Sequence, residues 1–501
     1  MGVLMLPLLM IQRSVGRELQ IVMHRGMGFA LCFLPARGTE MDRNTLWRLG
    51  TALPLVLSCI GLTDCSATNS TTTAALPPTA IAAKRYTALG QLDTVNFGGG
   101  SGAVITKIDP SEFEYALGVA LQPTGNKIIA AGHSVLAGQG VIALVQYNAD
   151  GSPDTAFGNN GIVRTPVGSD GAVAVAVAVQ ADGKIVVAGT ILAANFSGKG
   201  IALLRYLPGG TLDPTFGGTG IVTKTIGTGS DTAAAALALQ PGPQPVDERI
   251  VVAGHAFTGT KTDIVLLRYN SLDGTPDLNF GSNGLVTTSL ASDAAALAIQ
   301  LQPADNKIVA AGSVGNFDNS SMDSVLLRYD TNGVLDPAFG DTTTTPGMVI
   351  TDIGSGNNFA NAIALQPLDG RIVVAGHANV NFSLDTSDIA LLRYDANGSL
   401  ETTFGGVPQG KVVTDLGVFD NALSVALQPT ATDLKIVVSG NTGTAGSVTR
   451  VAVLRYNLDG GLDSAFGTGG IVTTSPTGPS SFASGNAVLI HPGGIVVVGY
   501  D

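Results

Sequence analysis

From about residue 79 onward, short apolar runs of four to seven residues, rich in Val, Ile and Ala, alternate with clusters of Gly, Pro, Asn and Asp. Runs of that length between such turn formers read as strands. Their order repeats: an apolar segment ending in Gln-Pro (ALALQP, IALQP), a turn, KIVVAG, a variable loop, IALLRY, a turn, LDxxFGxxG and a short IVTT. Phe-Gly marks the units at Phe97, Phe157, Phe216, Phe280, Phe339, Phe404 and Phe466, at intervals of 59 to 65 residues. Four strands in a serially repeated unit of roughly 60 residues predict an all-β fold of propeller blades.

The ends of the array choose between a closed ring and an open stack. The last unit stops at Gly494-Ile495-Val496-Val497-Val498-Gly499-Tyr500-Asp501 without an LLRY strand, whereas Ala82-Ala83-Lys84-Arg85-Tyr86 is an LLRY strand with no KIVVAG before it. Together the two pieces complete one blade. KIVVAG-type segments begin at Lys127, Lys184, Arg249, Lys307, Arg371, Lys435 and Gly494, and the matching tyrosines are Tyr86, Tyr147, Tyr206, Tyr269, Tyr329, Tyr394 and Tyr456. The expectation is a seven-bladed β-propeller, residues 79–501, four strands per blade, with the closing blade shared by N- and C-terminal strands. Pairing the two edges removes an aggregation liability. If the ALALQ strand is innermost the closing blade is split two and two; if IVTT is, three and one.

Composition fits this reading. The chain of 501 residues has 66 Gly, 24 Pro and 13% charged residues, against about 25% charged in ordinary globular proteins. After residue 65 there are 20 basic and 34 acidic side chains, a balance that argues against nucleic acid, whose phosphates require Lys and Arg. Cys32, Cys59, Cys65 and the single Trp47 all fall in the first 65 residues. A disulfide framework or a Cys-ligated metal is thereby excluded from everything downstream.

That first segment reads as a leader. From Met41 the chain has a basic start (Arg43, Arg48), an apolar stretch from Leu49, and Val56-Leu57-Ser58-Cys59, the layout of an export signal over 41–59. The last four residues resemble a lipobox, with Cys59 the lipidation candidate; cleavage by an ordinary signal peptidase is the alternative. Residues 60–78 read as a Ser/Thr/Pro-rich linker, and residues 1–40 as an over-extended gene start. The expected location is the cell envelope or the extracellular space, with membrane contact only through a lipid anchor.

LDxxFGxxGxVxT, ALQPDGKIVVAG and LLRYnxDG resemble the bacterial delta-60 repeat, a β-propeller family of unknown function. The resemblance spans about residues 79–501 and implies an exported bacterial propeller. It brings no catalytic or binding residues with it.

Within the units Arg precedes Tyr at Arg85, Arg205, Arg268, Arg328, Arg393 and Arg455, with Gln146 the exception. An acid follows eight residues later at Asp93, Asp213, Asp336, Glu401 and Asp463, and at Asp154 after Gln146. A three-residue hairpin loop with its Gly in the left-handed region places Arg opposite that acid. The unit with one inserted turn residue, Ser271-Leu272-Asp273-Gly274, lengthens the spacing from Arg268 to Asp277 to nine, as this geometry requires. These pairs are expected to be exposed register devices of about 0–1 kcal/mol each. Asp330-Thr331-Asn332-Gly333 superficially resembles a calcium loop, but Asp, Asn and Gly there are ordinary turn formers. Phe-Gly-x-x-Gly reads as a bulged turn with its Phe in the inter-blade core.

Loops alternate between two faces, and those after KIVVAG and after IVTT vary from unit to unit. Function on a rigid scaffold resides in such loops. The position after Ala-Gly holds His133, Thr190, His255, Ser313, His377, Asn441 and Tyr500, and neighbouring loops add Glu114, Asp170, Asp231, Asp293 and Asp420 as candidate binding-face residues. His133, His255 and His377 with nearby carboxylates are candidate metal ligands, although a strand-end cap accounts for each alone. His491 replaces a Gln found in the six other units and reads as a turn cap. No unit breaks the pattern with a nucleophile, base and orienter, so no cofactor and no catalytic residue are assigned. The leading expectation is a monomeric binding or structural scaffold for a protein or surface ligand. A channel-mouth lyase or hydrolase using His and Asp from several blades is the alternative, followed by a carbohydrate-binding propeller.

Overall fold

A computed structural model describes residues 79–501 apart from 110–111, 194–197, 228–230, 243–247, 317–320, 344, 355, 380–386, 407–409, 418, 432, 444–448 and 477–481. The expectations for residues 1–78, Cys59 among them, lie outside the described residues. The fold is all-β, built from four-stranded antiparallel sheets. Four of them follow chain order: Tyr115–Gln122 to Ile162–Thr165, Asp293–Leu301 to Met348–Thr351, Asn358–Leu365 to Lys411–Thr414, and Phe419–Pro429 to Ile471–Thr474. Two more, Ala172–Val179 to Ile221–Lys224 and Thr232–Gln240 to Leu285–Thr288, are joined by one bridge, Thr232 to Lys199.

The remaining sheet joins chain segments from the two ends. Ser484–His491 pairs with Gly494–Tyr500, which pairs with Ile81–Tyr86 and then Ala103–Thr106. Ile81 lies opposite Tyr500 and Tyr86 opposite Ile495. The division is therefore two strands and two, because the ALALQ strand is innermost. Tyr115–Gln122 packs against Ala172–Val179 on one side and Ser484–His491 on the other.

The cores lie between sheets. Ile81, Ala83 and Val496 of the shared sheet pack on Ile128 and Ala143 of the following one, while Tyr86, Ile495 and Val497 pack on Val437 and Val451 of the preceding one.

Each inner strand carries a β-bulge at the same place, between Ala116 and Gly118, Ala174 and Ala176, and Ala422 and Ser424, for example. The extra residue pushes a carbonyl toward the second strand. A Cβ on Gly132, Gly254, Gly312, Gly376, Gly440 or Gly499 would overlap the carbonyl oxygen of Tyr115, Ala233, Ala295, Phe359, Asn421 or Ser484. The invariant Gly of KIVVAG is thus the imprint of the bulge on the neighbouring strand.

Candidate functional site

Two ends of the assembly differ in chemistry. At the end carrying the short turns, the Arg–acid pairs form with N–O distances of 2.7 Å (Arg85–Asp93), 2.9 Å (Arg205–Asp213, Arg328–Asp336), 3.0 Å (Arg268–Asp277), 2.5 Å (Arg393–Glu401) and 2.8 Å (Arg455–Asp463). They are not exposed. Arg205 is 1% and Arg268 6% accessible, and each guanidinium stacks over its unit's Phe at 4.5–4.9 Å from the ring centroid. The remaining donors reach forward into the next sheet. Arg85 donates to the Ala149 carbonyl at 2.6 Å and Arg328 to that of Ala396 at 2.6 Å, and Arg205, Arg268, Arg393 and Arg455 find Ser271, Thr331, Leu458 and Ala88. The pairs sit under the next unit's turn, which covers them, so the surface-pair expectation is corrected to a buried bridge between sheets.

The Lys or Arg before IVV adds a second cation to the same acid, Arg249 to Asp277 at 3.1 Å and Lys307 to Asp336 at 2.9 Å; where Gln146 replaces the Arg, Lys127 meets Asp154 at 2.5 Å in its place. Burial works to raise the pKa of Asp277 and Asp336, but backbone N–H groups and the paired cations outweigh it and hold both below the ordinary value. The Gln column closes the network. Gln240 and Gln302 accept from Arg268 and Arg328 at 2.8 and 3.2 Å, and donate to Asn306 and Ala396 carbonyls of following units. His491 takes the Gln role, with Nε2 2.9 Å from the Asn126 carbonyl and Nδ1 accepting from the Gly493 N–H.

The adjacent Tyr reaches backward. Tyr147 meets Thr106 at 2.7 Å, Tyr206 meets Thr165 at 2.8 Å, Tyr329 meets Thr288 at 2.7 Å and Tyr394 meets Thr351 at 2.7 Å, each across to the preceding sheet. At Tyr269 the column residue is Lys224, which offers no hydroxyl; burial pushes this phenol up to about 12. The Asp330 turn is an ordinary one, its Oδ1 accepting from the N–H groups of Asn332 and Val334 at 2.8 and 2.9 Å.

The opposite end holds the unit-specific residues. His133 stacks on Tyr115, centroids 5.1 Å apart, with Nδ1 3.3 Å from the Phe113 carbonyl, and burial pushes its pKa down to about 4. His377 stacks on Phe359 at 4.9 Å and meets Asn361 Nδ2 at 3.1 Å; burial lowers it to about 4 also. His255 is 1% accessible, neither ring nitrogen has a hydrogen-bond partner, and its Nε2 lies 3.8 Å from Asp231. The three histidines are not brought together. Among the described residues the group placed to share a cation is Asp388, Asp415 and Asp420, a combination that repeat columns do not reveal because it draws on two units.

Of the binding-face carboxylates, only Asp170 is exposed, with Lys199 3.6 Å away. Glu114 is fully buried, accepting from Ile108 and Asp109 N–H groups and Ser134 Oγ at 2.7–2.8 Å. Asp231 and Asp420 are 7% and 0% accessible, and half-buried Asp293 accepts from the Thr262 N–H at 2.8 Å. These four shape their loops from within rather than facing solvent.

This architecture is that of a β-propeller repeat protein. Segments 126–157, 180–216, 247–280, 304–339, 368–404 and 433–466 match the family described as "Domain of unknown function (DUF5122) beta-propeller". Among solved structures the chain is similar to Sqt1 from Chaetomium thermophilum (12% identity, 77% of this chain and 93% of that chain, TM-score 0.40). It is also similar to the polysaccharide lyase Uly1 (12%, 79% and 93%, 0.40) and to a gluconolactonase from Xanthomonas campestris (11%, 74% and 97%, 0.34). No curated protein matches.

Proposed function

We infer that the chain is a closed seven-bladed propeller of the delta-60 type that acts as a binding or structural scaffold through its variable-loop end. Export by segment 41–59, with Cys59 as a lipid anchor, places it at the bacterial cell surface. One observation carries the reading: the repeated Arg, acid, Gln, Tyr and Phe columns are consumed by bridges between sheets at the turn end. What differs between units is gathered at the other end. Closure is supported by the shared sheet, whose strands pack on both neighbours.

The test immobilises the full chain and passes an envelope extract over it, alongside a variant with the variable loops 258–261 and 134–140 shortened and a variant carrying Leu272→Ser and Leu368→Ser at exposed turn-end positions. Retained ligand is expected on the wild type and the turn-end variant and lost on the loop variant. Loss only in the turn-end variant overturns the reading.

A further inference from the structure

Where the sheet Asn358–Thr414 meets the next, three carboxylates converge. Asp388 opens the strand Asp388–Tyr394, Asp415 follows Lys411–Thr414, and Asp420 is the second residue of the inner strand Phe419–Pro429. One oxygen from each lies within 4.8 Å of the others. Asp415 is exposed, whereas Asp420 is 0% accessible. The Oδ2 of Asp420 accepts from the Leu416 N–H at 2.5 Å; the Thr442 hydroxyl and the Gly417 N–H also act on this carboxylate, but its Oδ1, equally buried, has no hydrogen bond of full geometry. A buried carboxylate oxygen left without a donor is costly unless a positive charge meets it.

The preceding junction supplies an internal comparison. Its equivalent positions hold Asp323, Asp352 and Asn358, with Asn in place of the buried Asp. There the Asn358 amide donates to Asp352 Oδ1 at 3.2 Å and also to Asp323. Two acids are bridged by a neutral donor. At the Asp420 junction the amide is replaced by a third carboxylate, so the amide that bridged the two acids is gone and a negative charge is added. Burial raises the pKa of Asp388 and of Asp420, and repulsion from Asp415 acts in the same direction on both.

We propose that Asp388, Asp415 and Asp420 bind a divalent cation of the calcium type. Calcium takes six to eight oxygen ligands at about 2.3–2.6 Å and accepts irregular carboxylate sets. Three carboxylates drawn from two sheets form such a set, and the exposed Asp415 leaves the ion open to water for the rest of its shell. The ion ties the start of one sheet's third strand to the next sheet's inner strand. The backbone makes the same connection nearby, through the Asp420 N–H and the Ser387 carbonyl at 2.8 Å. The site lies at the variable-loop end and holds whether or not that end binds a ligand.

The full chain, stripped with EDTA and dialysed, is titrated with calcium chloride by calorimetry and melted with and without the ion. One calcium per chain and a higher melting temperature are expected. Asp420→Asn, which copies the preceding junction, is expected to abolish both effects, and Asp415→Asn to weaken binding at least tenfold. Should Asp420→Asn fail to fold, the surface substitution Asp415→Asn decides alone. Absence of calcium binding and of a melting shift in the wild type overturns the proposal, as does undiminished binding in Asp415→Asn. Equal affinity for magnesium also overturns the calcium assignment.

Discussion

Lys84 interrupts a column that is otherwise Val145, Leu204, Leu267, Leu327, Leu392 and Leu454. Its ammonium meets Asp501 at 2.5 Å, and the two side chains are 2% and 0% accessible. They belong to the sheet in which N- and C-terminal segments pair, so this ion pair clasps the seam. Asp501→Ala leaves the ammonium buried without its partner, a loss of about 3–5 kcal/mol. Unfolding entropy of about 2.1 cal/mol/K per residue over roughly 420 residues amounts to ~0.9 kcal/mol/K, so the melting temperature is expected to fall by about 3–6 °C. Lys84→Leu with Asp501→Ala restores the apolar column and removes both charges; replacing a buried pair by apolar groups is often neutral or better. Calorimetric melting of wild type, Asp501→Ala and the double variant checks this. A single variant as stable as wild type, or a double variant no better than the single, refutes the reasoning.

Three further outcomes are expected. His133 and His377, held at about 4 by burial, stay neutral in the fold while the unfolded side chains protonate from about 6.5 downward. Their contribution is therefore complete above about pH 6.5 and lost as the pH falls toward 4, at up to ~1.4 kcal/mol per pH unit for each. Urea midpoints at about pH 7.5 and pH 5 should differ more in wild type than in His133→Phe/His377→Phe, and equal differences would remove the histidines from the account. Gly440→Ala forces a Cβ onto the Asn421 carbonyl and is expected to cost about 1–3 kcal/mol by overpacking, read from denaturant midpoints. Lys224→Thr supplies the hydroxyl that Tyr269 lacks and is expected to add about 0.5–1.5 kcal/mol; an unchanged midpoint would show that the Tyr–Thr bridges contribute nothing.

The Arg–acid spacing was legible because both residues belong to one hairpin. Asp93 N–H donates to the Arg85 carbonyl at 2.8 Å, and the longer unit keeps the same contact between Asp277 and Arg268 at 2.9 Å. Burial of those pairs was not legible, since the covering turn lies some 60 residues further on. Glu114 and Asp420 misled for the same reason: a loop carboxylate looks solvent-facing until the backbone N–H groups that enclose it are in place.

By itself the sequence determined the strand pattern, the repeat, the split array and the hairpin pairings, all set by local alternation and turn chemistry within one unit. The tertiary structure decided which strand is innermost, that Arg reaches forward and Tyr backward between sheets, that the KIVVAG glycine answers a bulge, and that Asp388, Asp415 and Asp420 meet. Each of these depends on which face of one repeat lies against its neighbour. That contact is made across separations of tens of residues, where the pattern along the chain carries no record of it.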